Sequence, residues 1–390
     1  MKSKVMIKTL SKLADIQTGP FGSQLHKEDY VQEGTPIVTV EHLGKKRFTE
    51  QNLPYVSNED KKRLNKYILH EGDIVFSRVG SVDRCSYVSR EYDGWMFSGR
   101  CLRVRPFGEI DSQYLYYYFT LESTKQFVRG IATGATMPSI NTKFMGEVPI
   151  VYPSIIQQRK IASILTSLDD KIELNKKINE NLLEQAQALY THAFPYTTSD
   201  TLPEGWRLGT VGEIIEIHDS KRIPLSGAQR DKMEKKIYPY YGAASLMDYV
   251  DKYIFDGKYL LLGEDGTVID NTGFPILQYV WGQFWVNNHA HILTGKLGYS
   301  VESLYMLFKQ TSVKSIVTGA VQPKISQSNL KSIEVVIPPE NQIKAFNEQI
   351  EAMFTLIRNR EDENKYLSTL RDSLLPKLMS GEIDVSVLDI

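Results

Sequence analysis

The feature that most restricts how this chain can fold is a seven-residue stripe that occurs twice. From Ile161 its apolar positions advance by four, three, four: Ile161, Leu165, Leu168 and Ile172, then Leu182, Ala186 and Leu189. Asn175 and Asn179 keep the beat between the two runs. A 3.5-residue period held over about four heptads describes a helix that meets another helix along a seam. With a rise of 1.5 Å per residue, Ser154 to Phe194 makes a rod of roughly 60 Å. Pro153 and Ser154 supply its start, and Pro195 its end. Taken alone, the stripe also suits a long helix packed on one ordinary core.

The second half of the chain carries the stripe again. At an offset of 185 residues the seam becomes Phe346, Ile350, Met353, Ile357, Arg360, Asn364, Leu367, Arg371 and Leu374, so that Asn179 lands on Asn364. Upstream, Ile131-Ala132-Thr133-Gly134-Ala135 lies over Ile316-Val317-Thr318-Gly319-Ala320 without a gap, and Pro138, Ile140, Pro153 and Gln157 match Pro323, Ile325, Pro338 and Gln342. The chain is a tandem duplication in which each copy ends in a long helix. The expected division is a variable domain at 1–153, a helix at 154–195, a second variable domain at 196–338, and a helix with a tail at 339–390. The duplication suggests a pseudo-two-fold axis, with an antiparallel helix pair making Asn179 and Asn364 symmetry mates.

Dense turn signals, such as Gly19-Pro20, Gly72-Asp73 and Asp93-Gly94, separate short strand-like runs in residues 1–153: Pro36 to Val40, Asp73 to Ser77 and Cys101 to Val104. A helix is expected from Ser112 to Arg129, with Leu115, Tyr118, Phe119 and Phe127 available for burial. The second domain repeats this α+β plan through Tyr259 to Leu262, Phe284 to Val286 and a helix from Ser303 to Lys314. Gly72 to Phe76 aligns with Gly257 to Leu261 at the offset of 185, whereas Phe97 to Val104 aligns with Val286 to Leu293 only after a shift of about four. A shared scaffold with differing loops is what a pair of recognition modules needs.

Composition narrows the chemistry. Over 390 residues the net charge is −1, but it is +4 over 1–153, −1 over 195–338 and −4 over 339–390, so no global basic signature announces nucleic acid. Two cysteines, Cys85 and Cys101, suit a reducing cytoplasm, and the basic amino terminus lacks the apolar run of a signal peptide. The charge-free stretch between Asp270 and Lys296 is broken by Asn, Gln, His, Pro and Gly, and reads as buried strands rather than a membrane span. There is no phosphate loop of the G-x-x-x-x-G-K-[ST] type, no dinucleotide fingerprint, and no arrangement that nominates a nucleophile. His289 and His291 could share a strand face, for polar recognition, a structural role or a metal, but no carboxylate or cysteine pattern accompanies them. No catalytic residue, metal or cofactor is assigned to the chain.

Local clusters do suit nucleic acid. In the first copy these are Lys45, Lys46 and Arg47, then Ser77, Arg78 and Ser81 with Arg84, and Thr136 in the junction loop. In the second they are Lys221 and Arg222, Tyr241, Asp265, Asn287, His289 and His291. Arg and Lys match guanine O6/N7 or phosphates, and Asn matches adenine N6/N7. Taken singly, a cluster of this kind is more often a solvated surface loop.

The junctions Gly134-Ala135-Thr136…Pro153-Ser154-Ile155-Ile156-Gln157-Gln158 and Gly319-Ala320-Val321…Pro338-Pro339-Glu340-Asn341-Gln342 resemble those of the specificity subunit of type I restriction-modification systems. So does the ending Leu374-Leu375-Pro376-Lys377-Leu378-Met379-Ser380-Gly381-Glu382-Ile383, as do Ser77 to Ser81, Tyr240 to Ala243, Gly263 to Gly266 and Asn287 to His291. The resemblance spans essentially the whole chain. It implies two α/β target-recognition domains in tandem, each reading one half of a split site in double-stranded DNA. The two helices would pack as an antiparallel coiled coil that sets spacing and docks two modification subunits. It further implies restriction subunits as partners, S-adenosylmethionine, ATP and Mg2+ in those partners, no membrane, and a cytoplasmic location. A specificity subunit of a related restriction-modification system and a coiled-coil protein-binding scaffold are the alternatives. A self-contained methyltransferase or nuclease would need a cofactor segment for which the duplication leaves no room.

Overall fold

The computed structural model describes residues 5–22, 24–319 and 321–386. Residues 1–4 of the expected first domain, Ala320 of the second junction and residues 387–390 of the tail lie outside the described residues. The chain divides into two compact units. The first comprises Met1–Glu173 with Lys365–Ile390, and the second Leu174–Asn364.

Each unit is built on two four-stranded sheets. In the first unit one sheet runs in the order Ala14–Thr18, Cys101–Pro106, Ile74–Ser77, Cys85–Tyr87, all antiparallel. The other runs Tyr30–Val31, Tyr55–Val56, Thr35–Val38, Met96–Phe97, its last pair parallel. The second unit repeats both. Ile215–Ile217, Ala290–Gly295, Tyr259–Gly263 and Leu277–Val280 form the antiparallel sheet. Leu246–Val250, Tyr238–Tyr241, Gln283–Val286 and Phe255–Asp256 form the other, again with one parallel pair, Tyr240–Tyr241 beside Trp285–Val286. A two-stranded ribbon completes each unit, Met6–Thr9 with Pro149–Tyr152 and Arg207–Thr210 with Glu334–Ile337.

The ladders revise one part of the sequence alignment. Gly80 and Gly266 occupy the same place, each donating its N–H to the carbonyl of a matched proline, Pro138 or Pro323. That equivalence carries Ile74 onto Leu260, an offset of 186 rather than 185, and it agrees with the pairing of Ile74 to Val104 and of Leu260 to Leu293. A slip of one residue exchanges the two faces of a strand. It was invisible in the sequence because Ile74 to Ser77 and Leu260 to Gly263 are buried at every position, so no alternation marks the register. The shift of four between Phe97–Val104 and Val286–Leu293 matches the ladders as they stand.

Two helices also differ from expectation. Ser112–Thr120 and Glu122–Ile131 are separate, because Leu121 is extended (φ −58°, ψ 135°) and Thr120 Oγ1 caps the Tyr117 carbonyl. Phe127 then points away from the core and is 40% exposed. In the second unit the helix is Val301–Lys309, with Ser300 as its cap, and Lys314 belongs to a separate 3-10 turn.

The long helices are Ile155–Ala193 and Glu340–Ser380, the latter running through Pro376. In the first unit Ile161, Ala162 and Leu165 join a core with Tyr114, Leu115 and Phe119, closed by Leu378 and Val385 from the far end of the chain. In the second, Ala186 and Tyr190 pack with Phe346, Ile350, Phe354 and Ile357. Leu168, Leu182, Met353 and Leu367 are half-buried on the stripe, and Phe354 takes the fully buried place beside Met353. Antiparallel packing is direct in both units: Arg371 Nη1 donates to Asp169 at 2.7 Å in the first, and Asn175 Nδ2 to Asn364 Oδ1 at 2.9 Å in the second.

Candidate nucleic-acid interface

Equivalent loops gather at one end of the two inner strands of each antiparallel sheet. In the first unit the chain leaves the strand Ile74–Ser77 into Arg78, whose N–H donates to the Arg100 carbonyl and whose carbonyl accepts from Ile140. In the second it leaves Tyr259–Gly263 into Glu264, whose N–H donates to the His289 carbonyl and whose carbonyl accepts from Ile325. One backbone position thus carries opposite charges in the two units.

At this position in the first unit, the Arg78 guanidinium lies over the Phe21 ring, 5.3 Å from its centroid, while Nη1 donates to the Gly99 carbonyl at 3.1 Å. Nε is buried without a hydrogen-bond partner. The ring contact and this one bond restrain the guanidinium, whose Nη donors suit an acceptor on a base or phosphate. Ser77 is buried with its hydroxyl donating to the Val79 carbonyl at 2.8 Å, whereas Ser81 and Thr136 are exposed on neighbouring loops.

The other basic residues of the first unit gather elsewhere, around Leu43 and Gly44. Lys45 is exposed. Lys46 turns inward: its Nζ donates to the Tyr117 hydroxyl at 3.1 Å and to Thr166 Oγ1 at 3.2 Å, with Asp170 3.9 Å away. Burial lowers the pKa of that amine against the pull of Asp169 and Asp170. Arg47 pairs with Glu91 at 2.7 Å, and Arg84 donates to the Leu43 carbonyl. Lys46, Arg47 and Arg84 tie down a loop beside the long helix, apart from the cluster around Arg78.

In the second unit most of the expected residues come together. Glu264 is held by Arg222 Nη1 at 2.5 Å, with Lys324 3.4 Å away, and Arg222 also donates to the Ala290 carbonyl at 2.8 Å. His289, 44% exposed at its side chain, pairs through Nδ1 with Asp265. Asn287 is buried; its Oδ1 accepts from the His289 N–H at 2.8 Å, and its own N–H donates to the Tyr241 carbonyl at 3.0 Å. Tyr241 is half-buried against Phe284, and burial pushes its hydroxyl up to about 12. Lys221 is exposed next to Arg222.

His291 lies beneath this surface, fully buried, its Nδ1 2.6 Å from Asp219 Oδ2 and its Nε2 2.8 Å from the Ile325 carbonyl. Asp219 also accepts from the Ile292 N–H and from Gln327. Burial works against the charge on Asp219, yet the bonds from His291 and Ile292 and the nearby Arg222 hold its carboxyl below the usual range. Asp219, Glu264 and His291 stand close enough to share a cation, but Arg222 is already bonded in their midst and supplies the positive charge. His289 and His291 take separate partners and form no common ligand set.

Sequence reading missed Phe21, Arg100 and Glu264 as parts of these clusters. Only Glu264 carried a signal, in its Gly-Glu-Asp-Gly turn; Phe21 and Arg78 meet through tertiary structure alone.

Comparison with known proteins follows the same two-copy plan. A family model described as "Type I restriction modification DNA specificity domain" matches twice, over residues 2–184 and 203–365. Among curated relatives, the type I restriction enzyme MjaIX specificity subunit of Methanocaldococcus jannaschii is 26% identical over 316 residues, covering 73% of this chain and 72% of its own. The type I restriction enzyme HindI specificity subunit of Haemophilus influenzae is 21% identical, covering 85% and 90%. The solved S subunit of a type I restriction-modification system from M. genitalium shares the fold, with a TM-score of 0.61 at 17% identity over 97% and 96% of the chains.

Proposed function

Because the chain belongs to the type I restriction-modification DNA specificity family, we propose that it is the sequence-reading subunit of such a complex, each domain reading one half of a bipartite duplex site. One observation carries the division into halves: the same backbone position presents Arg78 over Phe21 in one unit and Glu264 under Arg222 in the other. A donor-only guanidinium suits the acceptor edge of guanine, whereas the Asp265, Asn287 and His289 group offers both donors and acceptors. Two copies of one scaffold with different side chains at one place read two different short sequences.

In this proposal residues 1–153 and 196–338 are the reading domains, and the long helices set their spacing and dock two modification subunits. Methyl transfer and cleavage belong to partner subunits, which bring S-adenosylmethionine, ATP and Mg2+; this chain supplies recognition alone. Restriction subunits join the same assembly. No helix among the described residues is long and apolar enough to cross a membrane, which suits the cytoplasmic location proposed with it.

The test is a domain exchange. Replacing residues 196–338 with the matching domain of a relative, in a complex with its modification subunits, should change one half of the methylated sequence and leave the other intact. Mapping that shows both halves changing together would refute division into independent readers.

A further inference from the structure

One loop is closed in the same way in both units although its neighbours differ. Thr133 and Ser139 exchange backbone hydrogen bonds of 2.9 and 2.7 Å, and Thr318 and Lys324 exchange bonds of 2.9 and 2.7 Å. Each pair closes a short protruding loop. A second tether pins the loop to the reading cluster, with Gly80 donating to the Pro138 carbonyl at 2.8 Å and Gly266 to the Pro323 carbonyl at 3.0 Å. Gly134 (φ 101°) and Gly319 (φ 88°) make the closure possible, since a Cβ at Gly134 would stand 2.7 Å from the Met137 carbonyl oxygen, and one at Gly319 closer still to that of Gln322.

The tips face solvent. Residues 133–138 are all exposed, Met137 at 63%, and Val321 is fully exposed. Among the described residues no hydrogen bond within the protein uses the N–H of Ala135, Thr136 or Met137. The small residues Gly134 and Ala135 and the free amides of residues 135–137 let the backbone of the first loop come close to a negatively charged oxygen.

The repetition says what the loop meets. Arg78 and Glu264, two residues from the tethering glycines Gly80 and Gly266, differ between the units, as base readers of two different half-sites must. What two half-sites of unlike sequence have in common is the sugar–phosphate backbone, which positions a protein without specifying sequence. We infer that the exposed loop residues 133–138 in one unit and Gly319, Val321 and Gln322 in the other are the sequence-independent DNA contacts of the two units, holding the phosphate backbone beside the bases that the adjoining clusters read. The inference rests on the reading of each unit as a DNA-recognition domain.

Thr136 and Val321 sit on the exposed tips, so charge can be placed there without entering either core. Thr136→Glu and Val321→Glu, each in a complex with the modification subunits, should weaken binding to specific and to scrambled duplex by the same factor, about fivefold. Thr136→Lys and Val321→Lys should tighten both and steepen the salt dependence by about one phosphate contact. The methylated sequence should be unchanged in all four. A changed base preference would make the loop a base reader and overturn the inference. So would lost co-purification of modification subunits with normal DNA affinity in whatever complex still assembles, which would make it a protein contact, or affinities indifferent to the sign of the charge. A wild-type complex that binds specific and scrambled duplex alike would instead refute the reading of the units themselves.

Discussion

Arg78 is restrained by Phe21 and by its bond to the Gly99 carbonyl, so removing it subtracts a positioned donor group. Arg78→Ala should cost about 1–3 kcal/mol of specific binding and relax one base position in one half-site, measured by competition among single-base variants of the site. Lys46, an equally basic loop residue in the sequence, should behave differently. With its amine bonded to Tyr117 and Thr166, Lys46→Ala should lower the melting temperature of the protein while the salt slope of DNA binding stays as it was. Loss of one slope unit with no change in melting would move Lys46 to the DNA surface.

Acid should act through Asp219 and Glu302. Burial opposes ionisation of both, but His291 and Ile292 hold Asp219 below 3.8, and Lys258 and Tyr279 hold Glu302 below 4.5. Both groups have folded values lower than unfolded ones. Their contribution is therefore full above about pH 4.5 and fades as pH falls through the folded values. Melting temperature should drop steeply below that point, and Glu302→Gln should show a shallower drop than wild type; equal slopes would remove Glu302 from the account.

At the scale of elements, the helix stripe was the most legible part of the chain. Seam positions lie three or four residues apart, so the pattern is local and needs no knowledge of partners. The partners were less legible. Asn364 bonds Asn175 rather than Asn179, and Asn179 Nδ2 reaches the Ile357 carbonyl at 3.3 Å and Glu361 at 3.0 Å. Duplication alone made Asn179 and Asn364 symmetry mates, but which side chains touch depends on the stagger of the two helices. Asn175 Oδ1, Asn179 Oδ1 and Asn364 Nδ2 remain buried without partners, so this polar layer is costly. Replacing Asn175 and Asn364 together by Leu should raise the melting temperature and weaken the preference for one half-site spacing, since polar seam residues trade stability for register. Duplexes with half-sites moved by one base pair would read this out; an unchanged spacing preference would leave the two Asn as mere structural cost. Strand register and the Phe21–Arg78 pairing stayed hidden in the sequence because burial on both faces erases alternation and because distant residues carry no mark of meeting.

For the whole molecule, duplication and an α+β plan could be read directly, while the course of the chain between the two units could not. The second unit is one continuous stretch, Leu174–Asn364, whereas the first is assembled from Met1–Glu173 and Lys365–Ile390. Leu378 and Val385 are buried in the core that Ile161, Ala162 and Leu165 begin. Synthesis runs from the amino terminus, so the unit whose residues emerge first is the last to be sealed. While the ribosome is still translating beyond Asn364, every side chain of the second core has been made, and the older half of the protein waits with an apolar face open for the final turns of its closing helix.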